Sequence, residues 1–487
     1  MLLITPFGLT GCHHPWLAPP PVEIPPAPPI VCEPLPPVPA AHPEPIDNTP
    51  QLIDLPTALR LADGKNPNIA LARERIREAL AQQERAEVLW LPHLEFNPTW
   101  LRHDGQLQRS TGEIINVSRS SLGVTGGPAL NFDWGDALFA KLAFRQLTEA
   151  REAAATAVAN TLLLDVALAY TDLLQTYAEL RIADEARQNA KALYDLMLAH
   201  DKVGKAVPAD IARARTELNQ RERELVAVQG RIDVVSARLA ELLYLPSSVS
   251  LRPVETAFVP LTMVQPEIPV NDLIVHGLRN RPELAEHRAY IEASLEFWRS
   301  AKVAPFVPEL RLIYNGGGYG GGRNSHFSEF DWRGDAGAMA YWRLDNLGFG
   351  NLALVRERES QYNQTNFRVI ALENNVAAQI VTASSFADAR RRELAPAQTA
   401  VESARESYKL NLDRVRRAPE QARPIELLQA IQALQRSQAD YLNVIADYNR
   451  AQFRLYTALG SPPQCALDET TPIPNAALPL TPAKNKE

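Results

Sequence analysis

The spacing of apolar residues changes period twice within the first third of the chain. From Pro67 to Trp90 it is helical, with proline in the opening turn where its missing N–H costs nothing, and Pro92 stops it. A period of two follows: Leu94, Phe96 and Trp100 fall on one face, and Glu95, Asn97 and Thr99 on the other, which predicts a half-buried strand. A polar, glycine-bearing loop leads to a second strand-like run over Ser121 to Phe132, its alternation blurred by Gly126-Gly127-Pro128. The pattern then turns helical again and stays so from about Trp134 to His200. A turn at Val203-Gly204 follows, and Pro208 opens a return helix that runs to Tyr244.

The same series recurs about 215 residues later. Asn66-Pro67-Asn68-Ile69-Ala70 is answered by Arg281-Pro282-Glu283-Leu284-Ala285, Leu91-Pro92-His93-Leu94 by Val307-Pro308-Glu309-Leu310, and Pro208-Ala209-Asp210-Ile211 by Pro424-Ile425-Glu426-Leu427. A period this long marks a duplicated half rather than a solenoid unit. The second half predicts a helix over Pro282 to Val303 and a strand with Leu310, Leu312 and Tyr314 facing away from Arg311, Ile313 and Asn315. It continues with a strand over Gly334 to Leu344, a long helix over Gly350 to Arg417 and a return helix over Pro424 to Leu459. The expected organisation is residues 1–12 as a leader ending in a lipid-attachment motif and 13–50 as a proline-rich tether. Residues 51–244 and 271–460 form the two repeats, joined by a belt-like linker over 245–270, and 461–487 form a tail.

Two consequences follow from these lengths. Helices of nearly 70 residues would run roughly 100 Å at 1.5 Å per residue, too long for a globular domain and suited to a coiled coil or a helical wall. Two strands per half make four per chain, and bacterial membrane barrels start at about eight. Strands that cross a bilayer must close, because a lipid-exposed edge leaves its backbone unsatisfied. A chain of this design therefore has to oligomerise. No run of about 18 uncharged apolar residues is present to suggest a bundle of membrane helices.

The amino terminus adds an anchor. Leu9-Thr10-Gly11-Cys12 has the form of a bacterial lipobox, in which the cysteine receives the acyl chains, although no basic segment precedes it. The following tract, with Pro19-Pro20-Pro21 and Pro36-Pro37, favours extended polyproline structure and buries no core.

Composition mainly excludes. An apolar content of 46% is that of a folded protein, and a net charge of -7 with a pI near 5.8 offers no basic surface for nucleic acid. Cys12, Cys32 and Cys465 form neither a zinc pattern nor a disulfide framework, and Cys12-His13-His14 has no distant partner ligand. Gly316-x-Gly318-x-x-Gly321 has dinucleotide-fingerprint spacing but opens no helix, and is expected to be a surface loop. Asp133 and Asp136, like Asp331 and Asp335, are unaccompanied by a nucleophile or base, and no Walker, zinc-protease or serine-elbow motif occurs. The expectation is a protein without catalytic residues or cofactors.

The residues Leu59, Ala62, Asn66 and Pro67, then Asn131-Phe132-Asp133-Trp134-Gly135, Val203-Gly204 with Pro208-x-Asp210, and Tyr448-Asn449-x-Ala451-Gln452-x-x-Leu455 resemble the TolC-type outer-membrane efflux family, the outer membrane factors. That resemblance implies a mostly α protein with a membrane β-barrel: long helical hairpins forming a periplasmic tunnel, four strands per chain, and a homotrimer closing a twelve-stranded barrel. It implies a passive duct that meets a periplasmic adaptor and an inner-membrane pump. Leu94, Phe96, Leu310 and Leu312 would then face outer-membrane lipid, and Glu95 and Arg311 the lumen. Val203, Gly204, Pro208, Asp210, Pro424 and Glu426 would form the adaptor-docking turns at the far end, and Cys12 the lipid attachment. The second turn has no glycine to match Gly204. The competing reading is a peripheral coiled-coil scaffold that conducts nothing, which explains the helices but not the paired strands in both halves.

Overall fold

A computed structural model of the chain describes residues 50–204, 207–246, 248–324, 326, 328–417, 423–463, 471–472 and 478–479. Strand β1 (Gln51–Ile53) leads into helix α1 (Leu55–Lys65), where the Asp54 carboxylate accepts from the Thr57 N–H at 2.9 Å and caps the first turn. Helix α2 (Pro67–Glu87) is followed by the long strands β2 (His93–Gln108) and β3 (Ile114–Phe132). One π turn over Asp136–Ala140 opens helix α3 (Lys141–Lys202), and α4 (Pro208–Leu242) returns alongside it. Three short strands come next, β4 (Leu251–Pro253), β5 (Ala257–Phe258) and β6 (Leu261–Thr262). The second half runs α5 (Val270–Asn280), α6 (Pro282–Val303), β7 (Glu309–Arg323), β8 (Ser328–Tyr341), α7 (Phe349–Arg417) and α8 (Pro424–Ala458). Two short strands, β9 (Thr471–Pro472) and β10 (Leu478–Pro479), lie in the tail.

Proline is the first residue of α2, α4, α6 and α8, so these four helices start where the sequence predicts. At 62 and 69 residues, α3 and α7 are on the order of 100 Å long. Helix α3 packs along α4 and α8, and α7 along α8, while α6 fills the slot between α3 and α7 beyond the end of α8. The shorter helices meet end to end, and both halves make the junction in the same way. Asn66 Nδ2 donates to the Leu242 carbonyl at 3.0 Å, and Arg281 Nε donates to the Ala458 carbonyl at 2.9 Å. These side chains meet carbonyls that the ends of α4 and α8 would otherwise leave without partners. The residues 137–202 are long and apolar enough to cross a membrane by length and composition alone. Here Leu163, Val166, Tyr170 and Leu173 of that stretch are buried among α1, α4 and the segments beside them.

A belt crosses the helices near their middle. β1 pairs in parallel with β4, and the tail strands β9 and β10 pair antiparallel with β6 and β5. The belt-like linker thus holds three short strands, which no alternation announces because each is only two or three residues long. The Tyr170 hydroxyl donates to the Ile53 carbonyl at 3.1 Å and pairs with the Glu255 carboxylate. Burial first, and the hydrogen bond to Glu255 second, push that phenol far above its ordinary pKa, so it is a fixed neutral donor. On α8, Asn449 accepts from the Leu261 N–H at 2.8 Å and donates to the Val259 carbonyl at 2.8 Å, and Gln452 Oε1 accepts from Met263 and Val264 at 3.0 Å each. The Tyr448-Asn449-x-Ala451-Gln452 run is therefore the clasp that holds belt to helix.

Candidate functional site

The four long strands form one antiparallel sheet in the order β2-β3-β7-β8, and it remains open at both edges. The register sorts its faces. Phe96 stands opposite Gly126, Gly126 opposite Gly316 and Gly316 opposite Gly334, so even-numbered residues of all four strands share one side. From the row Phe132–Leu310–Ala340 to the row Trp100–Leu122–Gly320, that side carries Leu94, Phe96, Pro98, Val124, Leu130, Leu312, Tyr314 and Trp332 without a single charge. The next rows turn polar with Arg102, Asp104, Ser118 and Ser120. Leu310 to Gly320 is a span of roughly 33 Å along the strand at 3.3 Å per residue, or roughly 25 Å in height at a 40° tilt, the height of the apolar band of an outer-membrane barrel. The odd side carries Glu95, Asn97, Thr125, Asn131, Arg311, Asp331, and Arg333 in an ion pair with Asp335 at 2.8 Å. Leu94, Phe96, Leu310 and Leu312 thus share the apolar side, and Glu95 and Arg311 the polar one.

The glycine cluster is a correction. Gly316-x-Gly318-x-x-Gly321 lies inside β7 and not in a loop. A Cβ on Gly320 would meet the Phe330 ring at 2.7 Å, and one on Gly316 would meet Trp332 at 2.7 Å, so aromatic side chains from β8 lie over both positions. A Cβ on Gly317 would stand 2.1 Å from the Val124 carbonyl oxygen, and one on Gly127 would stand 1.9 Å from that of Tyr314. Close approach of β3 and β7 backbones, rather than turn formation, demands these glycines.

At the far end of the helices, Gly204 has a φ of 70° and Val203 is well exposed. Pro208 and Pro424 begin α4 and α8, and Asp210, Arg213, Pro424, Ile425 and Leu428 meet around one small cleft. The two hairpin ends therefore lie side by side, on a shared core of Leu193, Met197, Ala214, Val415, Leu427 and Ile431. Asp210 pairs with Arg213 at 2.9 Å, and Glu426 with Arg414 at 2.9 Å. Most of the second turn, residues 418–422, lies outside the described residues, as does Cys12.

Sequence reasoning missed a polar seam behind this end. Arg221 of α4 is buried against Glu217 at 2.7 Å and Glu224 at 2.7 Å; Gln432 of α8 donates to Glu217 at 2.8 Å and Gln435 to Glu224 at 2.7 Å. Its signal was present, since Glu217, Arg221 and Glu224 recur at helical spacing, as do Gln432 and Gln435. Among the described residues, no group of three or more His, Cys, Asp or Glu side chains is placed to hold a metal ion.

The fold is that of known outer-membrane channels. VceC from Vibrio cholerae superposes with a TM-score of 0.70 at 17% identity, over 84% of this chain and 96% of that one. CmeC from Campylobacter jejuni gives 0.67 at 16%, over 83% of this chain and 85% of that one. The pyoverdine export outer membrane protein OpmQ of Pseudomonas putida is 27% identical over 286 residues, which is 57% of this chain; the chain spans 58% of the length of that relative. Residues 58–243 and 273–461 match the family described as outer membrane efflux protein, one match falling on each repeat. With its face-sorted sheet, duplicated hairpins and belt, this chain belongs to the outer membrane efflux protein family.

Proposed function

We propose that the chain is one subunit of an outer-membrane exit duct, passive in itself, through which an inner-membrane pump and a periplasmic adaptor discharge their cargo. The observation that carries this reading is the four-stranded sheet, apolar on one side and charged on the other, with two open edges and hundred-ångström helices at one end. Three copies would close a twelve-stranded barrel, with Leu94, Phe96, Leu310 and Leu312 on lipid and Glu95 and Arg311 on water. Acylated Cys12 would hold the amino terminus to the membrane, with residues 13–50 as tether, 51–244 and 271–460 as the two halves of the wall, 245–270 as the belt linker and 461–487 as the tail. OpmQ's role in pyoverdine export makes small secreted metabolites the first cargo class to try.

The adaptor would dock at the hairpin ends, through Val203, Gly204, Pro208 and Asp210 and through Pro424 and Glu426, because an open tube is met at its mouth. Gly204 has a left-handed φ, and a Cβ placed on it would meet nothing within 4 Å, so a side chain there projects outward and strains only the backbone. Gly204→Trp should abolish export and adaptor crosslinking while trimer yield and membrane insertion stay normal. Gly204→Asn, which tolerates left-handed backbone, should retain both. Export that survives the tryptophan at normal trimer levels would make this end a simple turn. A peripheral scaffold would wash off membranes in carbonate, and a barrel would not.

A further inference from the structure

A groove of about 710 Å³ opens where the end of α8 meets the start of α6, walled by α3 and α7. It exists because two helices abut end to end there, and the side chains at the joint are too short to fill the slot between α3 and α7. Its floor includes Arg454 and Ala458 of α8, with Thr457 beside them, and its upper lip is Arg281 and Glu283 of α6. Tyr448, Asn449 and Gln452 hold the belt on α8. At 100° per residue, Ala451, Arg454 and Ala458 point to roughly the opposite side of that helix. The belt carries strands from both ends of the described chain, β1 and the tail pair, so it belongs on the outside of a closed wall. The groove then opens to the duct.

The chemistry of the groove is selective. Arg281 is committed: its guanidinium binds the Ala458 carbonyl at 2.9 Å, Gln379 at 2.6 Å and Glu283 at 3.2 Å. Arg454 is exposed and has no hydrogen bond or ion pair among the described residues. Glu283 thus cancels Arg281 and leaves one free positive charge among the described residues of the wall. Facing them, α7 lines the groove with Ala378, Ala383 and Phe386 among Asn375, Gln379 and Thr382, and Phe386 is 38% exposed. A mostly apolar groove of this size with one uncommitted guanidinium has the make-up of a small-molecule site.

We propose that this groove, repeated once per subunit, binds amphipathic organic anions in transit, with the apolar body of the ligand on Phe386 and its acidic group on Arg454. The proposal rests on the duct reading above, and it deepens that reading by naming the cargo class the wall itself favours.

The test uses the full-length protein in nanodiscs and two fluorescent probes with the same ring system, dansylglycine (an anion) and dansylamide (neutral). Dansylglycine should bind saturably, and dansylamide about tenfold more weakly. Arg454→Gln should lower dansylglycine affinity about tenfold and leave dansylamide within about twofold, since only the charge-assisted contact is lost. Phe386→Ala should weaken both probes. Arg454 is exposed and unpaired among the described residues, so its variant should fold, and trimer yield checks that it does. Equal affinity of the two probes for the wild type, or unchanged dansylglycine binding by Arg454→Gln, overturns the proposal. Planar-bilayer conductance of the same wild-type preparation separates the two readings. A conducting protein that ignores dansylglycine sinks only the groove, and a non-conducting one sinks the duct.

Discussion

Arginine placed at residue 96 tests the membrane register directly. If the apolar band runs from the row of Leu310 to the row of Gly320, its middle falls between the row of Leu94 and Tyr314 and the row of Phe96 and Gly316. Phe96 is 73% exposed in the single chain and lies on the apolar side, so Phe96→Arg puts a guanidinium near the bilayer midplane. That costs about 2–4 kcal/mol per chain, a 30- to 1000-fold loss in the ratio of inserted to uninserted protein. Leu312 lies one row inside the helix-side edge of that band, about 5 Å deep, where arginine snorkels to water and should cost about 1 kcal/mol or less. Asn97 is the next residue along the strand but on the charged side, and Asn97→Arg should be nearly neutral. Phe96→Leu controls for loss of the ring. Urea-dependent insertion into lipid vesicles, read as the heat-modifiable trimer fraction, gives the three values. Equal tolerance at residues 96 and 97 would show that parity does not separate lipid from lumen and would refute the barrel geometry.

Three further outcomes are expected. Asp54→Ala should cost α1 about 1 kcal/mol, seen as faster amide exchange over residues 55–60. The hydrogen bond from Thr57 holds the Asp54 carboxyl below its usual range; the cap is at full strength above the ordinary aspartate pKa of about 3.9 and is lost as pH falls through the lower folded value, a dependence that Asp54→Asn should remove. Gly317→Val should abolish trimer formation because its Cβ would stand 2.1 Å from the Val124 carbonyl oxygen, whereas Gly318→Ala, with nothing within 4 Å, should assemble normally; unboiled electrophoresis distinguishes them. Mass spectrometry of the mature terminal peptide should find acylated Cys12 as the first residue, and an unmodified Cys12 with residues 1–11 still attached would end the anchor proposal.

The elements that were legible are those whose signal is local. Pro67, Pro208, Pro282 and Pro424 mark helix starts by a backbone constraint that needs no partner, and helical spacing with no breaker but Pro396 reveals α3 and α7. The strand faces were legible for the same reason, as Leu94 and Phe96 against Glu95 show. Strand extent was not. β3 begins at Ile114 rather than Ser121, and β8 at Ser328 rather than Gly334, because strand ends depend on pairing with a neighbour. The glycines of β7 looked like a loop because what they accommodate, the rings of Phe330 and Trp332 and the backbone of β3, is distant in sequence or on another strand. α1 and α5 escaped because eleven residues give only a short periodic signal. The belt's short strands and its attachment to α8 escaped because the hydrogen bonds that fix them come from Asn449 and Gln452, almost 190 residues away. Among the proposed site residues, the tips could be placed because a long helix has to end somewhere. The seam at Arg221 joins two helices from different halves, and a single helix's pattern does not say which neighbour it meets.

The open edges of the sheet carry a consequence for biogenesis. Among the described residues β2 and β8 are each paired on one side only, and since the strands alternate in direction, in the proposed ring β8 of one chain would run antiparallel to β2 of the next. Such a head-to-tail contact is heterologous: it has no twofold axis to terminate it, and growth stops only when curvature brings the last edge round to the first. A chain held at the two-subunit stage keeps two sticky margins and is a template for open arrays. The helical wall settles that contest in advance if its hairpins associate first, since their fixed crossing angles set how far each newcomer is rotated before any strand reaches lipid. On this view the helical part of the molecule is the jig on which the strands are counted out, and a change that loosened hairpin packing would show itself as barrels with the wrong number of staves.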